Sequence, residues 1–496
     1  MKGGAEKRKA AGKRFHARHA ATCAWILILA LGPAALSPAC AADGAAPPAP
    51  GPEEYRHRYV VNDFTPYPVP DIPRPAKGVP FRDPVFGTSI TRITDAPSDV
   101  PGRHFAYAQA GYPKHDIENA DGTKLIIQSF SGSGWSIWNA KPPFNKLHDL
   151  PPKLVGWGSP LDVRWSMEEP DILYYTHLSK FWRYDVGRKE AVPVYDFSKD
   201  YPARPGEKHP ACAPSLEEEG TQSDDNRHWP FTVKCYDPER KERNLDPWYQ
   251  AAQLLFDLRQ RRIAASLPAG SPAFRHANAL MVSPRGTYLI IGAPPCFVYD
   301  RNWKFLYRAE THGHYDLALD DEGREVIVTA GRYYGPAGTK DMGDWVKMID
   351  LETGKTQWLA PLDNALFHVS GNCTGKPGWA VVSTYSPPDF RQSAGWSDDS
   401  VMVYELTRRV PKPDRAHHAR VWRIAHTHMV RKSYGDDPFA KINRKGTKIW
   451  FGSGWGASYK DGQYDVYQID LPPTWDREVR KTDGPGTRST QESRHR

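Results

Sequence analysis

The chain of 496 residues is long enough to bury a large hydrophobic core, and its length alone would allow more than one domain. The formal net charge is +8, but residues 1–42 contain seven Lys or Arg and one Glu, so +6 of it lies there and the rest of the chain is near +2. This balance argues against a basic nucleic-acid-binding surface, and we expect no nucleic-acid partner. Seventeen Trp, 46 Pro and 40 Gly instead indicate a secreted, β-rich protein with many turns.

Residues 1–42 have the pattern of a secretory signal peptide. Basic residues are concentrated within residues 1–20, an apolar run follows at 24–31, and small residues at 39–42 suit cleavage. The apolar run is too short to span a bilayer, so we expect no transmembrane span in the mature form. The mature protein is therefore expected to be periplasmic or secreted, with lipid anchoring at Cys40 as the alternative.

The mature chain is expected to begin with a Pro-rich linker over residues 43–84. A strand-like segment follows at residues 88–94, and a propeller often closes its ring by pairing such an early strand with its last blade. Residues 85–475 have the spacing of one repeat domain. Residues 476–496 are a polar tail that we expect to be disordered.

Four turns in the repeat region share one pattern and end in Gly122, Gly286, Gly323 and Gly446. Each consists of a strand, a tight polar turn ending in Gly, and a second strand rich in β-branched or aromatic residues. A recurring unit of about 40–50 residues built of short strands predicts an all-β fold, here a seven-bladed β-propeller in a single large domain. A pair of β-sandwiches is the competing architecture, which the regular unit length disfavours.

Four cysteines remain after removal of the signal segment: Cys212, Cys235, Cys296 and Cys373. In an oxidising compartment they could pair in three ways. We prefer Cys212 with Cys235 because these two bracket one insertion in the third blade.

Histidines recur at corresponding points of several blades. A residue just upstream of the first strand of a blade lies at the mouth of the central channel. His115, His314 and His368 stand in such positions, so the propeller would bring them together although they are distant in sequence.

A second histidine pattern is the alternating pair His426 and His428, which would share one face of a strand. Together with His314 and His368 this pair forms a candidate site for a divalent metal ion, with Cys373 as a soft ligand. Manganese, zinc and calcium all remain open. The alternative is that these histidines hydrogen-bond the backbone of neighbouring blades.

The first blade begins with a cluster of His104, Tyr107, Tyr112 and His115. A histidine and a tyrosine close together suit the roles of general base and general acid. The alternative is aromatic packing where the chain enters the blade.

Arg164 could bind a substrate carboxylate through two hydrogen bonds, or it could pair with Asp162 or with a neighbouring blade. Asp162 and Glu219 are also the speculative carboxylate pair of a glycoside hydrolase. For the acidic run Glu217–Glu219, the alternative to a catalytic role is a solvated loop.

At these motifs the chain resembles exported seven-bladed polysaccharide lyases of the oligogalacturonate lyase and ulvan lyase type. The resemblance covers roughly residues 88–471 in layout. It rests on four stretches: Asn119–Gly122, the segment beginning at His314, the segment from His368 to Trp379, and Ile424–His428. It implies a histidine-bound divalent metal near the channel and β-elimination of uronate-containing glycans.

The resemblance also implies roles for the cluster in the first blade. His115 is the candidate base for the C5 proton, with His104 next, and Tyr112 or Tyr107 is the candidate acid for the departing O4. Arg164 or a metal would neutralise the uronate carboxylate. We expect a monomer acting on a uronate-containing oligo- or polysaccharide. The alternative is a non-catalytic propeller for glycan binding or protein interaction.

Overall fold

The computed structural model describes residues 59–99, 107–129, 134–151, 163–202, 212–216, 219–245, 247–267, 271, 279–292, 294–338, 340–364, 366–385 and 387–482. The expected signal peptide lies outside these residues. Residues Pro52–Arg496 form one compact unit. In the described part of the chain, no helix is long and apolar enough to cross a membrane.

The described strands form seven antiparallel sheets, each with four or five strands. The chain opens with β1 (Val60–Val61), β2 (Pro80–Arg82), β3 (Ser89–Arg92) and helix α1 (Ala96–Asp99). Blade 1 holds β4 (Ala108–Gln109), β5 (Lys124–Ser129), β6 (Trp135–Asn139) and β7 (Lys146–Asp149). Blade 2 holds β8 (Arg164–Trp165), β9 (Ile172–His177), β10 (Lys180–Asp185) and β11 (Glu190–Asp196).

The third to fifth blades follow the same plan. Blade 3 holds β12 (Cys212–Ser215), β13 (His228–Tyr236), helix α2 (Pro238–Glu242), β14 (Trp248–Asp257) and β15 (Arg262–Leu267). Blade 4 holds β16 (Leu280–Val282), β17 (Tyr288–Ile291), β18 (Cys296–Asp300) and β19 (Phe305–Ala309). Blade 5 holds β20 (Asp316–Leu319), β21 (Glu325–Tyr333), β22 (Gly343–Asp350) and β23 (Thr356–Pro361).

The last two blades each take strands from the start of the chain. Blade 6 holds β24 (Phe367–Ser370), β25 (Trp379–Thr384), β26 (Ser400–Glu405) and β27 (Val421–His426), with β1 added outside β27. Blade 7 holds β28 (Lys441–Ile442), β29 (Lys448–Ser453) and β30 (Asp465–Asp470), followed by helix α3 (Trp475–Lys481). Strand β3 pairs with β30, and β2 pairs with β3. The predicted seven-bladed β-propeller and its closure by an early strand are confirmed.

The core lies between adjacent blades, because each sheet is buried on both faces. Strand β25 is an example, because all six of its residues are buried. One cluster joins Val328 and Met348 of blade 5 to Val382 and Met402 of blade 6. Burying such side chains contributes about 1.5–3 kcal/mol each to stability, so every blade depends on its neighbours.

Two terminal segments are more ordered than their composition indicated. Residues 59–84 belong to the segment expected as a linker, yet β1 pairs with β27 and Phe64 packs against Trp396 at 4.5 Å. The expected tail begins within α3, where Trp475 and Val479 are both buried. These two residues are four apart and share one helix face, so a single apolar stripe docks an otherwise polar segment.

The disulfide joins Cys212 and Cys235, which face each other on β12 and β13. The preferred pairing is therefore confirmed. Cys296 and Cys373 are free thiols in the buried core.

Candidate active site at the channel mouth

A polar cluster joins three blades at one mouth of the channel. Tyr112 of blade 1 donates a hydrogen bond of 3.0 Å from Oη to Oε1 of Glu219 in blade 3. Lys114 donates from Nζ to the other carboxylate oxygen of Glu219 at 2.6 Å. The Lys114 side chain is 1% exposed and lies over the Tyr315 ring at 4.3 Å. The carboxylate of Glu219 therefore fixes both a phenol and an ammonium group.

His314 of blade 5 completes this cluster. Its Nδ1 lies 3.3 Å from the Tyr112 hydroxyl. Because Tyr112 gives its proton to Glu219, Nδ1 of His314 is the donor in this contact. Nε2 then carries the lone pair, and it has no hydrogen-bond partner among the described residues. His314 is half-buried, so that nitrogen can meet a ligand.

His368 of blade 6 lies directly beside His314. The two ring centroids are 4.2 Å apart. The hydroxyl of Tyr385 contacts Nδ1 of His368 at 2.8 Å, and Phe439 packs against the same ring at 4.5 Å. His368 is 1% exposed, so it packs within the wall of the site and does not lie at its surface.

The rim of the mouth carries a cation and an exposed aromatic ring. Arg431 donates from Nε to Asp437 at 2.7 Å and lies over the Tyr385 ring at 4.5 Å. Its terminal Nη groups have no hydrogen-bond partner in the described part of the chain. Tyr434 is 49% exposed, with its ring 6.4 Å from that of His368. These groups suit an anionic ligand with a ring to stack.

Burial sets the protonation states in this cluster. It lowers the pKa of His314 to about 4 and holds the pKa of His368 well below its usual range. Both imidazoles are therefore neutral at pH 7. Burial and the charge of Glu219 raise the pKa of Tyr112, which keeps its phenol protonated. The mouth thus combines a neutral base with a protonated acid.

The predicted base His115 and the predicted carboxylate ligand Arg164 lie deeper, on the axis of the channel. Both line a cavity of about 40 Å³. Arg164 donates from Nη2 to the carbonyl of Gly220 at 3.0 Å. The rings of His115 and Tyr112 are 6.2 Å apart. Such a cavity holds water-sized species and is far smaller than the roughly 300 Å³ of an ordinary small-molecule pocket.

Tyr107 does not join Tyr112. Its hydroxyl hydrogen-bonds Gln109, and its ring stacks on Tyr464 at 5.4 Å in the contact between blades 1 and 7. Tyr107 therefore matches the alternative of aromatic packing where the chain enters blade 1. His104, Asp162, Glu217 and Glu218 lie outside the described residues.

The four predicted metal-binding histidines fall into two pairs. His314 and His368 meet at the mouth, whereas His426 ends β27, the fourth strand of blade 6 counted from the channel. The rings of His426 and His428 are 6.5 Å apart at 83°, and His428 stacks on Trp455 at 4.1 Å. The backbone of His428 has a φ of 53°, which ends the alternation expected of a strand.

Cys373 is part of the apolar core with Trp379 and Trp475. Burial raises the pKa of its thiol to about 12, so it is protonated at neutral pH. The described residues contain no group of three His, Cys, Asp or Glu side chains placed to hold a metal ion. The donor set therefore does not fit the expected metal site, and we derive no chemical step through a metal.

Five contributors to the mouth were not singled out by the sequence: Lys114, Tyr385, Arg431, Tyr434 and Phe439. Lys114 has the clearest signal, because it adjoins His115 in a segment already marked as lining the mouth. Arg431 and Phe439 lie in the connection between blades 6 and 7. Only the ring closure shows that this connection returns to the channel.

No protein-family profile and no curated protein matches this chain. Among solved structures, an oligogalacturonate lyase in complex with manganese is similar, with a TM-score of 0.51 and 16% identity over 82% of this chain and 100% of that one. The oligogalacturonate lyase from Vibrio parahaemolyticus is similar with a TM-score of 0.51 and 13% identity, covering 81% of this chain and 100% of that one. The chain thus shares the seven-bladed propeller fold of the oligogalacturonate lyases.

Proposed function

We propose that the protein is a polysaccharide lyase that cleaves uronate-containing glycans by β-elimination at the channel mouth. The observation that carries this proposal is the contact between Tyr112 and His314, with the Tyr112 hydroxyl also bonded to Glu219. It places a neutral imidazole and a protonated phenol side by side, which are the base and acid that the reaction needs.

The uronate carboxylate must first be neutralised, since this acidifies the C5 proton. The Nη groups of Arg431 are the candidate for this task, because only its Nε is engaged by Asp437. A planar guanidinium binds a carboxylate through two parallel hydrogen bonds. Arg431 takes the role expected of Arg164, which lies in the narrower part of the channel.

In the chemical step, Nε2 of His314 removes the C5 proton. The electrons of the C–H bond form the C4–C5 double bond, and the C4–O4 bond breaks with its electron pair on oxygen. Tyr112 turns from Glu219 and donates its proton to O4. The Nδ1–H of His314, 3.3 Å from the phenolic oxygen, then returns a proton to Tyr112. The base is thus His314 rather than His115.

A non-catalytic glycan-binding or protein-interaction propeller is the second candidate. It is favoured by the burial of Tyr112, which is 3% exposed and already hydrogen-bonded. In that case the cluster joins three blades and has no chemical role.

The experiment is ultraviolet absorbance of the mature protein incubated with oligogalacturonates and other uronate polysaccharides, with and without a chelator. We expect absorbance from the unsaturated uronate in wild type and its loss in Tyr112→Phe. An intact polymer throughout the panel would support the binding propeller, and a new reducing end without absorbance would indicate a hydrolase. Loss with chelator and recovery with manganese would show that cleavage depends on a divalent metal ion.

A further inference from the structure

The axis of the propeller contains a cavity to which the inner segments of all seven blades contribute. Its volume is about 40 Å³, which admits one or two water-sized species and excludes a sugar ring. It lies below the channel mouth, and the proposed elimination does not use it.

Three nitrogen atoms in its lining lack a hydrogen-bond partner among the described residues. They are Nε2 of His115, Nδ2 of Asn372 and Nε of Arg444. His115 is 7% exposed, and its Nε2 is buried. A buried donor without an acceptor destabilises the folded state. Three of them around one cavity indicate that something accepts their hydrogens.

Basic side chains lie close to His115. Burial holds the pKa of His115 well below its usual range, and the charges of Arg164, Lys441 and Lys114 lower it further. Carboxylates oppose two of these groups, since Glu219 pairs with Lys114 at 2.6 Å and Asp116 and Asp316 act on Lys441. The imidazole is therefore neutral, and its Nε2–H tautomer can donate into the cavity.

The carboxylates of the lining are largely compensated. Asp316 accepts the backbone N–H groups of Gly371 and Leu317 at 2.6 and 2.8 Å. Asp224 pairs with Arg444 at 3.5 Å. Burial raises the pKa of Asp116 to about 7, so this carboxyl is partly protonated at neutral pH.

We propose that the propeller axis holds one halide-sized monovalent anion, bound by the three donors of His115, Asn372 and Arg444. A single water molecule has two lone pairs and leaves the third donor unsatisfied, whereas a single halide accepts all three; two water molecules are the alternative that the first test below separates from a halide. The bound ion would join blades 1, 6 and 7 through one shared ligand.

The first test is a crystal of the mature protein grown in sodium bromide, measured at the bromine absorption edge. We expect an anomalous peak on the axis beside His115 and Asn372. Density without an anomalous signal would identify water and overturn the proposal.

The second test follows the unfolding temperature as sodium gluconate is replaced by sodium bromide at constant ionic strength. A ligand that binds only the folded state raises this temperature to an extent set by its affinity. We expect a rise in wild type that is lost in Asn372→Asp, since the new carboxylate supplies the acceptor permanently. The control Asn302→Asp, in an exposed turn of blade 4, should keep the rise. An equal response in all three proteins would contradict the site.

Discussion

The hydroxyl of Tyr112 lies 3.3 Å from Nδ1 of His314, although 202 residues separate the two in the chain. They belong to blades 1 and 5, and Glu219 of blade 3 accepts the proton of the same hydroxyl at 3.0 Å. The closed ring of blades is what brings the three together. A proton can pass between the imidazole and the phenol without help from solvent, which makes this contact the centre of the proposed chemistry.

Tyr112→Phe removes the proposed acid and leaves the ring in place. We expect cleavage of oligogalacturonates to fall by about 10²–10⁴-fold, the usual contribution of a positioned acid or base. The measurement is kcat/KM from the absorbance of the unsaturated product. Tyr107→Phe is the matched control, since its hydroxyl bonds Gln109 between blades 1 and 7. An equal loss in both variants would mean that the phenols act only through folding.

The pH dependence of cleavage should report His314. Burial lowers its pKa to about 4, so the neutral base is present above that pH and is lost as the pH falls through it. We expect kcat/KM to be steady from about pH 7 down to about pH 5 and to decline near pH 4. A decline near pH 6.5, the ordinary value for histidine, would point to a different and more exposed base. In His314→Ala the acidic limb should disappear together with most of the activity.

The sequence predicted the architecture because the signal is repeated. Turns ending in Gly122 and Gly286 recur with the same flanking strands, and the segment 88–94 carries the alternation of a strand. His314 was placed at the mouth and Tyr112 in the cluster that begins the first blade, but their contact with each other was not foreseeable. It depends on the angle of each blade and on the side-chain directions within a closed ring.

The metal prediction shows the limit of such reasoning more clearly. His426 and His428 alternate as two residues on one face of a strand should. Strand β27 ends at His426, however, and the left-handed backbone of His428 turns its ring onto Trp455. Alternation along the sequence does not reveal where a strand ends or which position that strand takes in its blade.

The ion pair of Lys114 and Glu219 should be important for stability as well as for positioning. Glu219→Gln leaves the Lys114 ammonium buried without its counter-charge, since that side chain is 1% exposed. We expect the free energy of unfolding to fall by about 3 kcal/mol, as is usual when one partner of a buried pair is removed. Urea unfolding measures the change.

The double variant Lys114→Met with Glu219→Gln removes both charges and should recover much of that loss. If the double variant is instead less stable than Glu219→Gln alone, the buried charge of Lys114 is not the cause. Cleavage should stay impaired in both, because the Tyr112 hydroxyl loses its carboxylate acceptor.

Asp465 should be the critical residue of the ring closure. Its buried carboxylate accepts from the Thr94 hydroxyl and the backbone N–H of Ala96, each at 2.8 Å, and pairs with Arg74 and Arg92. All four partners lie in the early segment that β3 brings onto β30. Asp465→Asn therefore weakens the only strand pairing between the start of the chain and blade 7 among the described residues.

We expect Asp465→Asn to lower the free energy of unfolding by about 1–3 kcal/mol, because Arg74 and Arg92 then keep only Asp95 as a counter-charge among the described residues and the buried hydrogen bonds lose their charged acceptor. Amide hydrogen exchange should become faster in β3 and β30 before it does in the other blades, because we expect the ring to open first where these two strands pair. Asp470→Asn, at the exposed end of the same strand, is the control and should change stability by less than about 0.5 kcal/mol. Uniform acceleration of exchange across all blades would show that the ring unfolds as one unit and does not open first at this point.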